Sequence, residues 1–295
     1  MRIVYHLGAH CTDDERLLRC LLKNRGLLAR QGIIVPGPAQ YRNLMRDTAI
    51  ALKGQAASAD TQALVLEQIM QDDHAERLIL SWENFLSLAP WVVDGGLYPL
   101  AGDRTRAFAQ IFPQIEAEFH LAIRNPAGFL PAVYAKQKKM KGGKASYDDF
   151  IKGVDLFGLR WSQVVDSILT QNPGVPLTVW CDEDTPLIWP EVLQAVAGFP
   201  PGTALEDADE LLTQIMPAEG LKRMQAYIDS HPVTSVEMRR RIVSAFLDKF
   251  ALPDQISTEV EMPGWTEATA ETLTHQYELD VARIAATPGL KFITP

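Results

Sequence analysis

Arg2-Ile-Val-Tyr-His-Leu7-Gly8-Ala-His10-Cys11-Thr12-Asp13-Asp14-Glu15-Arg16-Leu17-Leu18 decides the fold, because it reads as a strand, a tight loop and the start of a helix. Residues 2–7 form a short β-prone run, and Gly8 permits a sharp turn. From Thr12 onward Leu17, Leu18, Leu21, Leu22 and Leu28 recur at helical spacing. A turn of this kind aims backbone N–H groups and the positive end of a helix at one point, which suits an anion. The residues at that point are Cys11, Asp13, Asp14 and Glu15, with no lysine and no second glycine. Thr12-Asp-Asp-Glu15 also fits a capping box, with Thr12 as N-cap, Glu15 at the third helical position and both aspartates in the first turn. On that reading the protein's own carboxylates satisfy the helix end.

Outward from this unit, strand patterns occur at 2–7, 33–35, 77–81, 119–123 and 177–181. Helical patterns lie between them at about 13–30, 41–53, 60–74, 103–117, 127–140, 146–152, 158–171 and 187–197. Strands alternating with helices predict a parallel sheet covered on both faces. After Phe199-Pro-Pro-Gly202 the strand signals nearly vanish, and 206–228, 235–250 and 265–286 read as helices. The division expected is an α/β domain over 1–202 and a helical C-terminal region over 203–295 packed on it. Ligands of open parallel sheets lie beyond the carboxyl ends of the strands, which singles out residues 8–12, 81–84, 124–126 and 181–184.

Composition excludes several function classes. At 295 residues, 47% hydrophobic and 22% charged, the chain has the make-up of an ordinary globular protein. A net charge of −9 argues against a nucleic-acid partner, since phosphate contacts need a dominant basic surface. No apolar run approaches the ~20 residues of a membrane span and no signal peptide is visible, so the cytoplasm is the expected location. Three cysteines without C-x-x-C spacing fit free thiols in a reducing compartment. His6, His10, Cys11, Asp13 and Asp14 crowd five potential ligands into nine residues, but a strand and an irregular loop do not dictate that they meet. His6 reads better as a core histidine, and no metal is expected. Neither G-x-x-x-x-G-K-[ST] nor G-x-S-x-G occurs, which sets aside ATP- or GTP-hydrolysing P-loop enzymes and nucleophile-elbow hydrolases.

His6-Leu-Gly8-Ala-His10-Cys11-Thr12-Asp13-Asp14-Glu15, then Asn24-Arg25, Leu28, Gly32-Ile33 and Pro36, resembles the opening of bacterial sulfotransferase-family proteins. The family pattern there is roughly H-x-G-x-(H/P)-K-T-G-T-(T/S), a helix, N-R-x-x-L and G-I-x-x-P. The resemblance implies a P-loop-like α/β fold that moves a sulfuryl group from 3′-phosphoadenosine-5′-phosphosulfate to a hydroxyl or amine. The chain departs from it at the lysine (Cys11), the glycine (Asp13) and the two hydroxyls (Asp14, Glu15), keeping Gly8 and Thr12.

A second match is Ile123-Arg124-Asn125-Pro126 opening a helix, where the family binds the 3′-phosphate with an arginine and a serine eight residues on. Arg124 is present, and Ala132 stands at the serine position. The alternative is an arginine paired with a nearby acid at the sheet edge. Lys136, Lys138, Lys139, Lys141 and Lys144 place five lysines in nine residues, either closing over an anionic donor or forming a solvated loop. Glu83, after the strand at 77–81, stands where glycan-type relatives carry an S-x-E glutamate that accepts the acceptor's proton, or it braces its own loop.

The resemblance therefore implies Glu83 as base, and Gly8, His10, Thr12, Arg124, Lys136 and Lys144 around the donor. The acceptor would be a small molecule or a glycan. The second expectation is a catalytically silent relative that uses the same cleft for a protein partner or another ligand.

Overall fold

The computed structural model describes residues 1–70, 75–140, 142–144, 146–253 and 262–295. Six strands form one sheet in the order β2-β3-β1-β4-β5-β6, and every pairing is parallel. They are β1 (Arg2–His6), β2 (Ile33–Ile34), β3 (Arg77–Ser81), β4 (Glu116–Ile123), β5 (Leu177–Cys181) and β6 (Lys291–Ile293). The helices are α1 (Arg16–Lys23), α2 (Arg25–Ala29), α3 (Pro38–Leu52), α4 (Ala59–Ile69), α5 (Ala101–Ala109), α6 (Pro126–Lys138) and α7 (Tyr147–Phe150). They continue with α8 (Trp161–Gln171), α9 (Thr185–Ala197), α10 (Glu210–Ile215), α11 (Ala218–Ser230), α12 (Val236–Phe250) and α13 (Glu267–Ala285).

Alternation along the strands assigns their side chains to two cores. Ile3, Tyr5, Leu121 and Val179 join the larger one, with residues of α3 to α8 and α13. Val4, Ala122 and Trp180 join the other, under α1, α2 and α9. Helices α5 and α8 approach so closely that a Cβ at Gly102 would stand 2.4 Å from the Ser167 carbonyl oxygen, and only glycine fits. Leu212, Met216, Met224, Ile242 and Val243 form a third, small cluster within α10 to α12.

The α/β architecture and the all-parallel sheet match the sequence reading. The sixth strand does not appear in it: Lys291–Ile293 pairs with β5, so the C-terminal segment adds both helices and a sheet edge. Residues 71–74, the end of the helix expected at 60–74, lie outside the described residues, as do Lys141 and Ala145. No helix among the described residues is long and apolar enough to cross a membrane.

The strand order fixes where a ligand would enter. From β1 the chain runs to β2 on one side, whereas from β4 it runs to β5 on the other. Their following helices α1 and α6 also cover opposite faces. The crevice beyond the carboxyl ends of β1 and β4 is therefore the topological switch point.

Candidate functional site

Leaving β1, the chain takes a run of left-handed residues: Gly8 at φ 48°, Cys11 at 57°, Asp14 at 47° and Glu15 at 63°. The loop consequently runs to Glu15, and α1 begins at Arg16 with no acid in its first turn. The capping box expected from Thr12 to Glu15 is not formed. Thr12 Oγ1 instead donates to the Ala9 carbonyl at 2.7 Å. The helix end is held by Asp13, whose two carboxylate oxygens accept from the N–H groups of Glu15 (3.2 Å) and Leu17 (3.1 Å). Asp13 thus occupies the position a bound phosphate would take at this helix end.

A cavity of about 160 Å³ lies inside the loop. Gly8, Cys11, Thr12 and Asp13 line it from β1, Arg42 from α3, Ser81 and Glu83 from the end of β3, and Lys136 from α6. Four of the expected site residues, Gly8, Thr12, Glu83 and Lys136, therefore meet at one place. Glu83 and Lys136 form an ion pair across it. Arg42, which the motif reading does not single out, hydrogen-bonds the Ser81 carbonyl at 3.1 Å and pairs with Glu15 at 2.7 Å. The neighbouring Tyr41 fixes it there, because its hydroxyl both accepts from Ser81 N–H (2.9 Å) and donates to Ser81 O (2.6 Å).

Arg124 stands at the next strand end, and its side chain turns inward to the protein. Its guanidinium donates to the Cys11 carbonyl and lies 4.0 Å from Asp182, so it pairs with an acid at the sheet edge. The backbone N–H of Asn125, which opens α6, donates to Glu183 Oε1 at 2.7 Å. Glu183 also accepts from the Tyr277 hydroxyl of α13 at 3.1 Å. Asp182 thus faces Arg124, which the resemblance assigns to the donor's 3′-phosphate, while Asp13 and Glu183 accept from backbone N–H groups at the starts of α1 and α6.

His10 and Lys144 do not line the cavity. His10 is fully buried, its N–H donates to the Tyr98 hydroxyl (2.9 Å), and the same hydroxyl hydrogen-bonds with His10 Nδ1 (2.8 Å). Burial, with the Lys136 charge nearby, pushes the imidazole down to about 3 against the pull of Asn84, which keeps it neutral. Tyr98 holds this contact from a left-handed backbone at φ 45°, an outlier for a bulky residue. Lys144 donates to the Val93 carbonyl at 3.1 Å and is clamped by Gln137 on both sides of its peptide.

Electrostatics at the rim are close-set. Burial pushes the Asp182 carboxyl up to about 7, with Arg124 opposing and Glu183 and Asp13 adding to the rise. Burial also raises the Cys11 thiol to about 11, so it is no thiolate at neutral pH. His6 stacks on Trp180 with ring centroids 6.0 Å apart and places Nδ1 2.8 Å from Ser81 Oγ. Burial lowers its pKa, and its Nε2 has no hydrogen-bond partner among the described residues. Among the described residues no group of three or more His, Cys, Asp and Glu side chains is placed to hold a metal ion.

No family model, curated protein or solved structure matches the chain.

Proposed function

We propose that this chain is a sulfotransferase-like α/β protein that has given up the nucleotide donor and uses the crevice beyond β1 and β4 for binding. The P-loop-like type of the fold belongs to this proposal, supported by a turn of left-handed residues after the central strand that leads into a helix. One observation carries the loss of the donor. The groups that would contact the nucleotide's phosphates are occupied from within, Arg124 by Cys11 and Asp182, Asn125 N–H by Glu183, and the N–H groups at the start of α1 by Asp13.

Magnitudes agree with this reading. A carboxylate about 4 Å from a ligand phosphate costs roughly 4 kcal/mol at an effective dielectric near 20. Two of them offset a micromolar affinity of about 8 kcal/mol. Glu83, the expected base, is committed to Lys136.

A retained transferase is the second reading, favoured by the meeting of Glu83 and Lys136 with the loop at one cavity. A single-turnover assay separates the two. Incubation with 3′-phosphoadenosine-5′-phosphosulfate and pooled hydroxyl and amine acceptors is expected to release no 3′-phosphoadenosine-5′-phosphate. Release that disappears in Glu83→Gln would restore the transferase.

A further inference from the structure

We infer that the open edge of β2 and the groove beside it dock an acidic, extended peptide segment of a partner protein. β2 is an edge strand, hydrogen-bonded to β3 on one side only and two strands away from β1. The Gly32 carbonyl accepts from the N–H of Arg77, and alternate residues of a strand face the same neighbour. Ile34 therefore also faces β3, while Ile33 and Val35 turn their backbone groups to the open side. Neither the N–H nor the carbonyl of Val35 has a hydrogen-bond partner among the described residues. Such groups are what an added strand pairs with. A groove of about 530 Å³ lies at that edge, within the roughly 300–1,000 Å³ of ordinary binding clefts. Ile34, Val35, Pro36 and Ile69, all buried, line it together with Ala29 of α2.

Charge decides the occupant. Residues 16–53, which build α1, α2, β2 and α3, hold eight Lys and Arg against the single acid Asp47, in a chain whose net charge is −9. Arg16, Lys23, Arg42 and Arg46 are paired with Asp14, Asp207, Glu15 and Asp47. Arg25 and Arg30, at the start and just past the end of α2, are exposed and have no acceptor among the described residues. Arg25 lines the groove, and among the described residues no Asp or Glu does; Glu67, two residues before Ile69, stands outside the lining. Unpaired cations beside an apolar floor and an open strand edge select an extended chain with carboxylates flanking an apolar side chain. A nucleic acid fits worse, because no aromatic side chain among the described residues lines the groove for a base to stack on.

The test is selection of random octapeptides displayed on phage against the immobilised full-length protein, followed by fluorescence-anisotropy titration of the enriched peptides in solution. Enriched sequences are expected to carry Asp or Glu on both sides of an apolar residue and to bind with micromolar affinity. Two variants at exposed positions report the site. Arg25→Glu combined with Arg30→Glu is expected to weaken binding about tenfold or more by reversing the charge. Ala29→Gln is expected to weaken it about tenfold by filling the groove with the charge unchanged. No enrichment, enrichment of neutral or basic peptides, or binding indifferent to either variant overturns the inference. So does self-association of the protein that either variant abolishes, which would give the groove to a second copy of the chain. Displacement of the peptide by oligodeoxythymidylate would give it to a nucleic acid and overturns the inference too. None of these outcomes bears on the donor nucleotide, so the inference stands or falls apart from the proposed function.

Discussion

Asp182→Asn is expected to stabilise the protein in mildly alkaline solution and to change little in acid. The carboxyl of Asp182 is 17% exposed, and burial lifts it to about 7 in the folded chain despite Arg124. Unfolded, an aspartate titrates near 3.9. Between these values the folded state holds a proton that the unfolded state has lost, so stability falls as pH rises and the full cost is present above 7. A difference of about 3 units at about 1.4 kcal/mol each gives roughly 4 kcal/mol, an upper figure because Asn also gives up the attraction of Arg124. A gain of about 2 to 4 kcal/mol at pH 8, falling towards zero at pH 4, is therefore expected from urea unfolding of parent and variant. A parent whose stability does not decline between pH 5 and 8, or a variant less stable at pH 8, would refute the reasoning.

At the opposite end of the sheet, burial opposes the charge of Glu118, but hydrogen bonds from His120 and Arg77 hold its carboxyl down to about 2. That stabilisation is present above the unfolded value near 4.3 and is lost as pH falls towards 2, so Glu118→Gln is expected to flatten the acid limb of a stability profile. Arg77 also donates to the carbonyls of Ala195 and Val196 at the end of α9, and Arg77→Ala is expected to cost about 3 to 5 kcal/mol in urea unfolding. Gly102→Ala drives a methyl group against Ser167 O and is expected to lower stability by about 1 to 3 kcal/mol, read as a fall in melting temperature. The Cys11 thiol, raised to about 11, is expected to react slowly with iodoacetamide at pH 8 and to accelerate steeply above pH 10, which mass spectrometry of the labelled peptide would follow.

The sheet was readable because β1, β3 and β5 are rich in apolar residues on both faces, as in Ile3-Val4-Tyr5, Leu78-Ile79-Leu80 and Val179-Trp180, the pattern of strands buried on both sides. β6 was not, because Lys291–Ile293 is three residues long and owes its strand state to pairing with β5. The start of α1 was misread for a different reason. In Thr12-Asp-Asp-Glu15 three successive residues have capping side chains, and the left-handed backbone at Asp14 and Glu15 passes that role to Asp13. Glu83 and Lys136 were placed together by the resemblance and do meet, whereas Lys144 belongs to a Gln137 clamp that no local pattern announces. Arg42 carries no motif. Its position depends on the paired hydrogen bonds between Tyr41 and Ser81, forty residues apart in the chain.

The account stands on the claim that the protein's own carboxylates have displaced the donor nucleotide. Calorimetric titration with 3′-phosphoadenosine-5′-phosphate at low salt, with Arg124→Ala alongside, tests it most directly. The account predicts no heat of binding up to millimolar ligand in either protein. Micromolar binding that is lost in Arg124→Ala would contradict it, and would mean that Asp182 and Glu183 move aside for the nucleotide.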